Sequence, residues 1–166
     1  TISGLLFQTR DPLLKDVRIR RAVALSLDYA QMVAALSDGL SVVNNSVIPT
    51  ASPYYDATAH KGYSYNLDEA RRLLKEANYR GEKIRMLVNK RYPQMFDLGL
   101  LSQAMTQAAG VNIEMETLEW GTQLERYQTG SYQMMATWTG MDGIRDILLT
   151  PGAGTQLFLL FNHGGI

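Results

Sequence analysis

The chain has 166 residues and a mass of 18.6 kDa, enough for one domain with a real core, or two small ones. Hydrophobic residues at 46% and charged residues at 19% argue against disorder, and 16 Lys plus Arg against 16 Asp plus Glu leave no basic footprint for nucleic acid. The lack of Cys removes disulfides, thiolate metal sites and cysteine nucleophiles, but names no compartment.

Thr1-Ile2-Ser3-Gly4 lacks the basic start and apolar core of a signal peptide and leads directly into a strand-like Leu5-Leu6-Phe7. The other end stops at Asn162-His163-Gly164-Gly165-Ile166, just after the apolar run Leu157 to Phe161; no apolar run in the chain is longer, and this length is far too short to span a membrane. Both ends read as cut, so a piece of a larger protein is expected.

Residues 1–39 read as a strand and helices, 40–65 as an extended loop region around Asn44, Asn45, Pro49, Pro53 and Tyr54-Tyr55, and 66–149 as alternating helices and strands. Asp16 is a good N-cap for a first helix, in which Val17, Arg20 and Arg21 lie at helical spacing from Ala24 and Leu25. Asp28 caps a second, Tyr29 to Leu36. Asn66 with Glu69 three residues on resembles a capping box. Leu67, Ala70, Leu73, Leu74 and Ala77 then form one apolar stripe, and Asn78 is a left-handed stop. Ile84 to Val88 is a short strand. Pro93 opens a helix to Ala109, with Leu98, Leu101, Met105 and Ala108 on one face and Gly110 at its end. Val111, Ile113, Met115 and Thr117 alternate as a half-buried strand. A helix from Trp120 to Gln128 stops at Gly130, and Tyr132 to Trp138 is the next strand.

Strands joined by crossover helices run parallel, which predicts an α/β fold with a small parallel sheet covered by helices. Ligands of such sheets bind beyond the carboxyl ends of the strands. Those ends carry Asn89-Lys90-Arg91-Tyr92, Glu119-Trp120 and Trp138-Thr139-Gly140-Met141-Asp142, so both tryptophans of the chain fall at one edge. Each residue there has two readings. Trp120 and Trp138 are stacking walls of a ligand site or caps on the core. Arg91 pairs with a carboxylate through its planar fork or is a solvated loop cation. Asp142 holds an ammonium group or caps a helix from Gly143 to Leu149. The cluster Asp16, Arg18, Arg20 and Arg21 reads as helix-surface pairs, and the eight Met residues as gap fillers.

Catalytic patterns are thin. His60 and His163 sit in expected loops, no Ser lies in a Gly-x-Ser-x-Gly elbow, and there is no Gly-rich phosphate loop or His-x-x-x-His pair. A pair of carboxylates remains open, but nothing singles one out.

Four stretches carry a resemblance. They are Asp16-Val17-Arg18-Ile19-Arg20-Arg21-Ala22-Val23 with Ser26-Leu27-Asp28; Ile48-Pro49 through Tyr54; Tyr65-Asn66-Leu67-Asp68-Glu69-Ala70-Arg71-Arg72-Leu73-Leu74-Lys75-Glu76-Ala77-Asn78-Tyr79; and Gly110-Val111-Asn112-Ile113-Glu114 with Leu118-Glu119-Trp120. In this order and spacing, over nearly the whole chain, they resemble the extracytoplasmic solute-binding proteins of family 5. These serve ABC importers of dipeptides, oligopeptides, nickel complexes and some glycans.

The resemblance implies a type II periplasmic-binding-protein-like lobe, a small mostly parallel sheet flanked by helices. Residues 1–166 would form the later of two lobes of a longer protein, with Leu5-Leu6-Phe7-Gln8 entering from the hinge. It implies binding of a peptide-like solute without catalysis, cofactor or metal. The implied partners are that ligand and a membrane ABC permease, with no nucleic acid, in a periplasmic or extracytoplasmic location. The ligand-facing set is Trp138, Trp120, Asp142, Met141, Thr139, Arg91 and Asn89. The chain departs from the peptide-binding pattern at Met141, where those members often carry an Asp that grips the peptide ammonium, and at Ile144-Arg145-Asp146, where they often show Asp-Pro. Asp142 is one residue away from the clamp position. Two other readings stay open: a non-transport ligand-binding or chemoreceptor-partner protein of the same fold, and a small α/β hydrolase.

Overall fold

The computed structural model describes residues 2–37, 43, 56, 58 and 63–139. In chain order the elements are β1 (Ile2–Phe7), α1 (Val17–Leu25), α2 (Tyr29–Ser37), α3 (Leu67–Glu76), β2 (Ile84–Val88), α4 (Pro93–Gln107), β3 (Ile113–Thr117), α5 (Trp120–Thr129) and β4 (Met134–Thr139). Most of the expected loop at 40–65, both histidines, the expected helix Gly143 to Leu149 and the apolar run from Leu157 lie outside the described residues.

Short polar side chains start the first three helices as their chemistry dictates. The Asp16 carboxylate accepts from the backbone N–H of Arg18 at 2.9 Å and pairs with its guanidinium at 2.7 Å. That side-chain hydrogen bond, the largest cause, holds the Asp16 carboxyl below its ordinary range. Asp28 accepts from Gln31 N–H at 3.0 Å. Asn66 accepts from Glu69 N–H at 3.0 Å, but the capping box is only half made. The Asn66 N–H donates to Leu25 O, and the Glu69 carboxylate binds Arg72 instead. Left-handed stops follow where they are needed: Asn78 at φ 55°, Gly110 at φ 96° and Gly130 at φ 72°.

The buried faces of α1 and α4 show how the helices meet the core, and that of α4 differs from expectation. On α1 the buried residues are Ile19, Ala22, Val23 and Ala24. Arg20 lies outside that group, its guanidinium donating to the carbonyls of Leu14 (2.7 Å) and Lys15 (3.0 Å). On α4 the buried face is Met95, Leu98, Gly99, Ser102 and Thr106, while Leu101 and Met105 are half-buried and Ala108 is exposed. Small and polar residues reach the sheet because their hydroxyls are satisfied within the helix: Ser102 donates to Leu98 O and Thr106 to Ser102 O, both at 2.7 Å. At Gly99 α4 approaches the sheet closely, since a Cβ there would lie 2.6 Å from Val88 Cγ1.

The sheet order is β1-β4-β2-β3. β2 is parallel to β3 and β4, whereas β1 is antiparallel to β4, with Ile2 opposite Thr139 and Phe7 opposite Met134. The sheet is therefore mixed rather than parallel throughout. Strand alternation sends Leu5, Phe7, Met86, Val88, Met134 and Ala136 to one face, with the buried residues of α1, α3 and α4. It sends Leu6, Leu87 and Met135 to the other, with Tyr132 and the half-buried Leu118 and Tyr127. Tyr127 belongs to α5, so α4 and α5 cover opposite faces. The chain moves from β2 outward to β3 under α4, then back past β2 to β4 under α5, as right-handed crossovers require. The carboxyl ends of β2, β3 and β4 consequently share one edge, together with the first turns of α4 and α5.

Candidate functional site

Three junctions meet at this edge: β2 to α4, β3 to α5, and the end of β4. The first two are tied by Leu118 N–H, which donates to Val88 O at 2.9 Å. Both helices start without a side-chain cap, Tyr92 and Glu119 standing at the N-cap positions. Pro93 has no N–H to satisfy and fits the first helical position. The positive ends of two helix dipoles therefore face the edge.

Tyr92 and Trp120, both half-buried, meet edge-to-face with ring centroids 5.2 Å apart and planes at 86°. This geometry suits the aromatic quadrupole. Arg91 is exposed, and its guanidinium carbon lies 5.8 Å from the Tyr92 ring centroid. Lys90, also exposed, sets its Nζ 5.4 Å from the Phe96 ring. Such contacts orient a cation with little cost in charge availability. Among the described residues neither cation forms an ion pair with a carboxylate. The edge thus combines an aromatic wall, a fork-shaped cation and two helix starts, a chemistry suited to a solute with an apolar part and an anionic or carbonyl group.

Beneath the wall lies a buried amide pair. Asn89, with no exposed surface, accepts from Tyr92 N–H at 3.1 Å through Oδ1. Its Nδ2 donates to Gln123 Oε1 at 2.8 Å and lies 3.1 Å from Met95 Sδ. Gln123 is equally buried, and among the described residues its Nε2 has no hydrogen-bond partner. A buried donor left unmatched costs about 1–3 kcal/mol. The Tyr132 hydroxyl, on the same face of the sheet as α5, is also buried without a partner among the described residues, and burial raises its pKa.

Of the residues expected at the site, the structure brings Trp120, Arg91 and Asn89 to the shared edge. Arg91 and Trp120 have exposed surface there, whereas Asn89 is engaged entirely by the protein. Trp138 and Thr139 are at the end of β4 by backbone register, at the same edge. Their side chains, and all of Met141 and Asp142, lie outside the described part of the structure. Gln123 went unnoticed in the sequence. The available signal was its position one turn before Tyr127 and three residues after Trp120, on the inward side of α5.

The fold is that of the type II-like periplasmic binding proteins. NikA from Brucella suis, solved in complex with Fe(III)-EDTA, superposes with a TM-score of 0.78 at 18% identity, covering 93% of this chain and 35% of that one. DppA from Helicobacter pylori, solved with the peptide STSA, superposes with a TM-score of 0.72 at 24% identity, covering 83% of this chain and 27% of that one. Residues 1–148 match the family described as bacterial extracellular solute-binding proteins, family 5 middle, and the chain belongs to this family. The dipeptide-binding protein of Escherichia coli (strain K12) is 32% identical over 140 residues, 80% of this chain and 26% of that protein. The chain spans about a quarter of the length of the curated relatives it matches, 26% and 28% for two of them.

Proposed function

We propose that the chain is one lobe of the solute-binding subunit of an ABC importer, and that its strand-end edge forms one wall of the solute cleft. Family membership over residues 1–148 is the observation that carries this reading. The proposed mechanism is binding rather than chemistry. Two lobes close on the solute by hinge motion, and the closed form is recognised by the membrane permease. The setting is periplasmic or extracytoplasmic, in keeping with one relative, a probable deoxycholate-binding periplasmic protein of Escherichia coli (strain K12). Among the described residues no helix is long and apolar enough to cross a membrane.

The solute we favour is peptide-like. Trp120 with Tyr92 forms its apolar wall, to which we assign Trp138 from the end of β4, and the Arg91 fork takes a carboxylate, supported by the neighbouring start of α4. Thr139 and Asp142 complete the set. Because Met141 stands where an ammonium clamp would be, the ammonium end falls to Asp142 or to the other lobe. A single wall holds few contacts, so the chain alone is expected to bind weakly or not at all; sub-micromolar affinity in calorimetry contradicts that. The test for the solute is calorimetric titration of the two-lobed parent protein with a dipeptide panel and the matching C-terminal amides. Loss of a charge-assisted hydrogen bond predicts roughly 10- to 100-fold weaker binding for the amides, and the same loss in Arg91→Ala. Binding indifferent to both changes overturns the assignment of Arg91.

A further inference from the structure

We propose that Asn89 and Gln123 act as positioning residues, a buried strut that fixes the Tyr92–Trp120 wall without touching the solute. This rests on the reading of the strand-end edge as a solute site. The two rings of the wall come from different junctions, Tyr92 before α4 and Trp120 at the start of α5, and the β2–β3 ladder with the Leu118 N–H to Val88 O bond ends short of both rings. What links the junctions side chain to side chain is the 2.8 Å bond from Asn89 Nδ2 to Gln123 Oε1. Each end of the strut is anchored next to one ring. Asn89 Oδ1 holds the backbone N–H of Tyr92, and Gln123 follows Trp120 by one helical turn, with its own N–H donating to Glu119 O at 3.0 Å.

The chemistry is costly for a merely space-filling role. Two apolar side chains would fill the same volume without burying amides, whereas here Gln123 Nε2 stays unmatched. What the amide pair adds is direction: one donor and one acceptor set the register between the helix starts, as buried polar pairs do when one arrangement must be selected. Asn89 is in this account a residue behind the wall, not a ligand contact.

The strut is tested in the ligand-free chain by nuclear magnetic resonance. The readouts are the ring-to-ring cross-relaxation between Tyr92 and Trp120 and the Trp120 indole N–H resonance. Gln123→Met keeps the length of the side chain and removes the acceptor. It is expected to reduce the Tyr92–Trp120 cross-peaks several-fold and to shift or broaden the indole signal. Gln123→Glu, which keeps an oxygen for Asn89, is expected to restore them in part. Leu73→Ala, a core truncation on α3, is expected to lower the melting temperature and leave the Trp120 signals in place. Unchanged ring signals in Gln123→Met overturn the proposal, and so does an equal loss in Leu73→Ala, which marks the effect as general loosening. If Gln123→Met does not fold, the wild-type chain still decides. The Asn89 side-chain amide protons must exchange at least tenfold more slowly than those of an exposed Asn, and exchange at the exposed rate overturns the strut. None of these readouts needs a solute, so failure of the strut and failure of the solute reading are told apart.

Discussion

The two faces of the sheet are built on different scales. The face toward α1, α3 and α4 buries a continuous cluster running from Leu5 through Ile19, Leu74 and Met86 to Ala136. Among the described residues, the face toward α5 buries a smaller apolar cluster, Leu6, Leu87, Tyr132 and Met135, and it also holds the unmatched Tyr132 hydroxyl. The unmatched Gln123 amide belongs to α5 as well. Neighbouring residues on one strand sample both environments, since Leu5 and Leu6 are each essentially buried yet point to opposite sides. The difference suggests a division of labour. The thick face supplies stability, and the thin face tolerates polar groups whose geometry matters more than their burial energy.

Truncating the adjacent leucines breaks or sharpens this comparison most strongly. Leu→Ala in a core costs about 2–5 kcal/mol, depending on how far the site can collapse. Leu5→Ala is expected near the upper end and Leu6→Ala near the lower, because a single helix can settle onto the sheet more readily than several interlocked ones. Chemical denaturation of the two variants measures this, and equal losses would remove the distinction between the faces. Next in size is Gly99→Ala. The added methyl meets Val88 Cγ1 at 2.6 Å, and overpacking of this kind costs about 1–3 kcal/mol. A variant as stable as wild type would mean that α4 rides loosely on the thick face.

The smallest effect concerns the edge of that same layer. Asp16→Ala removes the cap of α1 and is expected to cost about 1 kcal/mol at neutral pH. Since Arg18 holds the folded Asp16 carboxyl below its unfolded value, the stabilisation is complete above the unfolded value, near pH 4, and fades as pH falls through the lower folded value. The gap between wild type and variant in thermal melts should therefore be constant near neutrality and narrow under acid. A gap that widens on acidification would contradict the assigned pairing.

Local chemistry was the readable part of the sequence. Asp16, Asp28 and Asn66 start helices, Asn78, Gly110 and Gly130 end them, and Ile84–Val88 forms a strand where alternation places it. Less readable were the features set by distant partners. β1 pairs antiparallel with β4 across most of the chain, and spacing alone carries no information on such a partner. The sheet-facing side of α4 is misread because Gly99, Ser102 and Thr106 are not apolar, although closeness of approach favours small side chains with satisfied hydroxyls. At the site, the gathering of Asn89, Arg91 and Trp120 follows from parallel topology. The buried state of Asn89 and its bond to Gln123 do not, because helix periodicity says which side Gln123 takes but not that an amide waits there.

The central claim is that this edge is half of a solute cleft. The most direct measurement is native mass spectrometry of the two-lobed parent protein, purified without denaturation, alongside its Trp120→Ala and Arg91→Ala variants. The account predicts a co-purified small molecule in the wild type, peptide-like in mass and fragmentation, and its loss or marked depletion in both variants. A protein that emerges empty and shows no thermal shift with a peptide panel, or one that keeps its ligand undiminished in both variants, would contradict it.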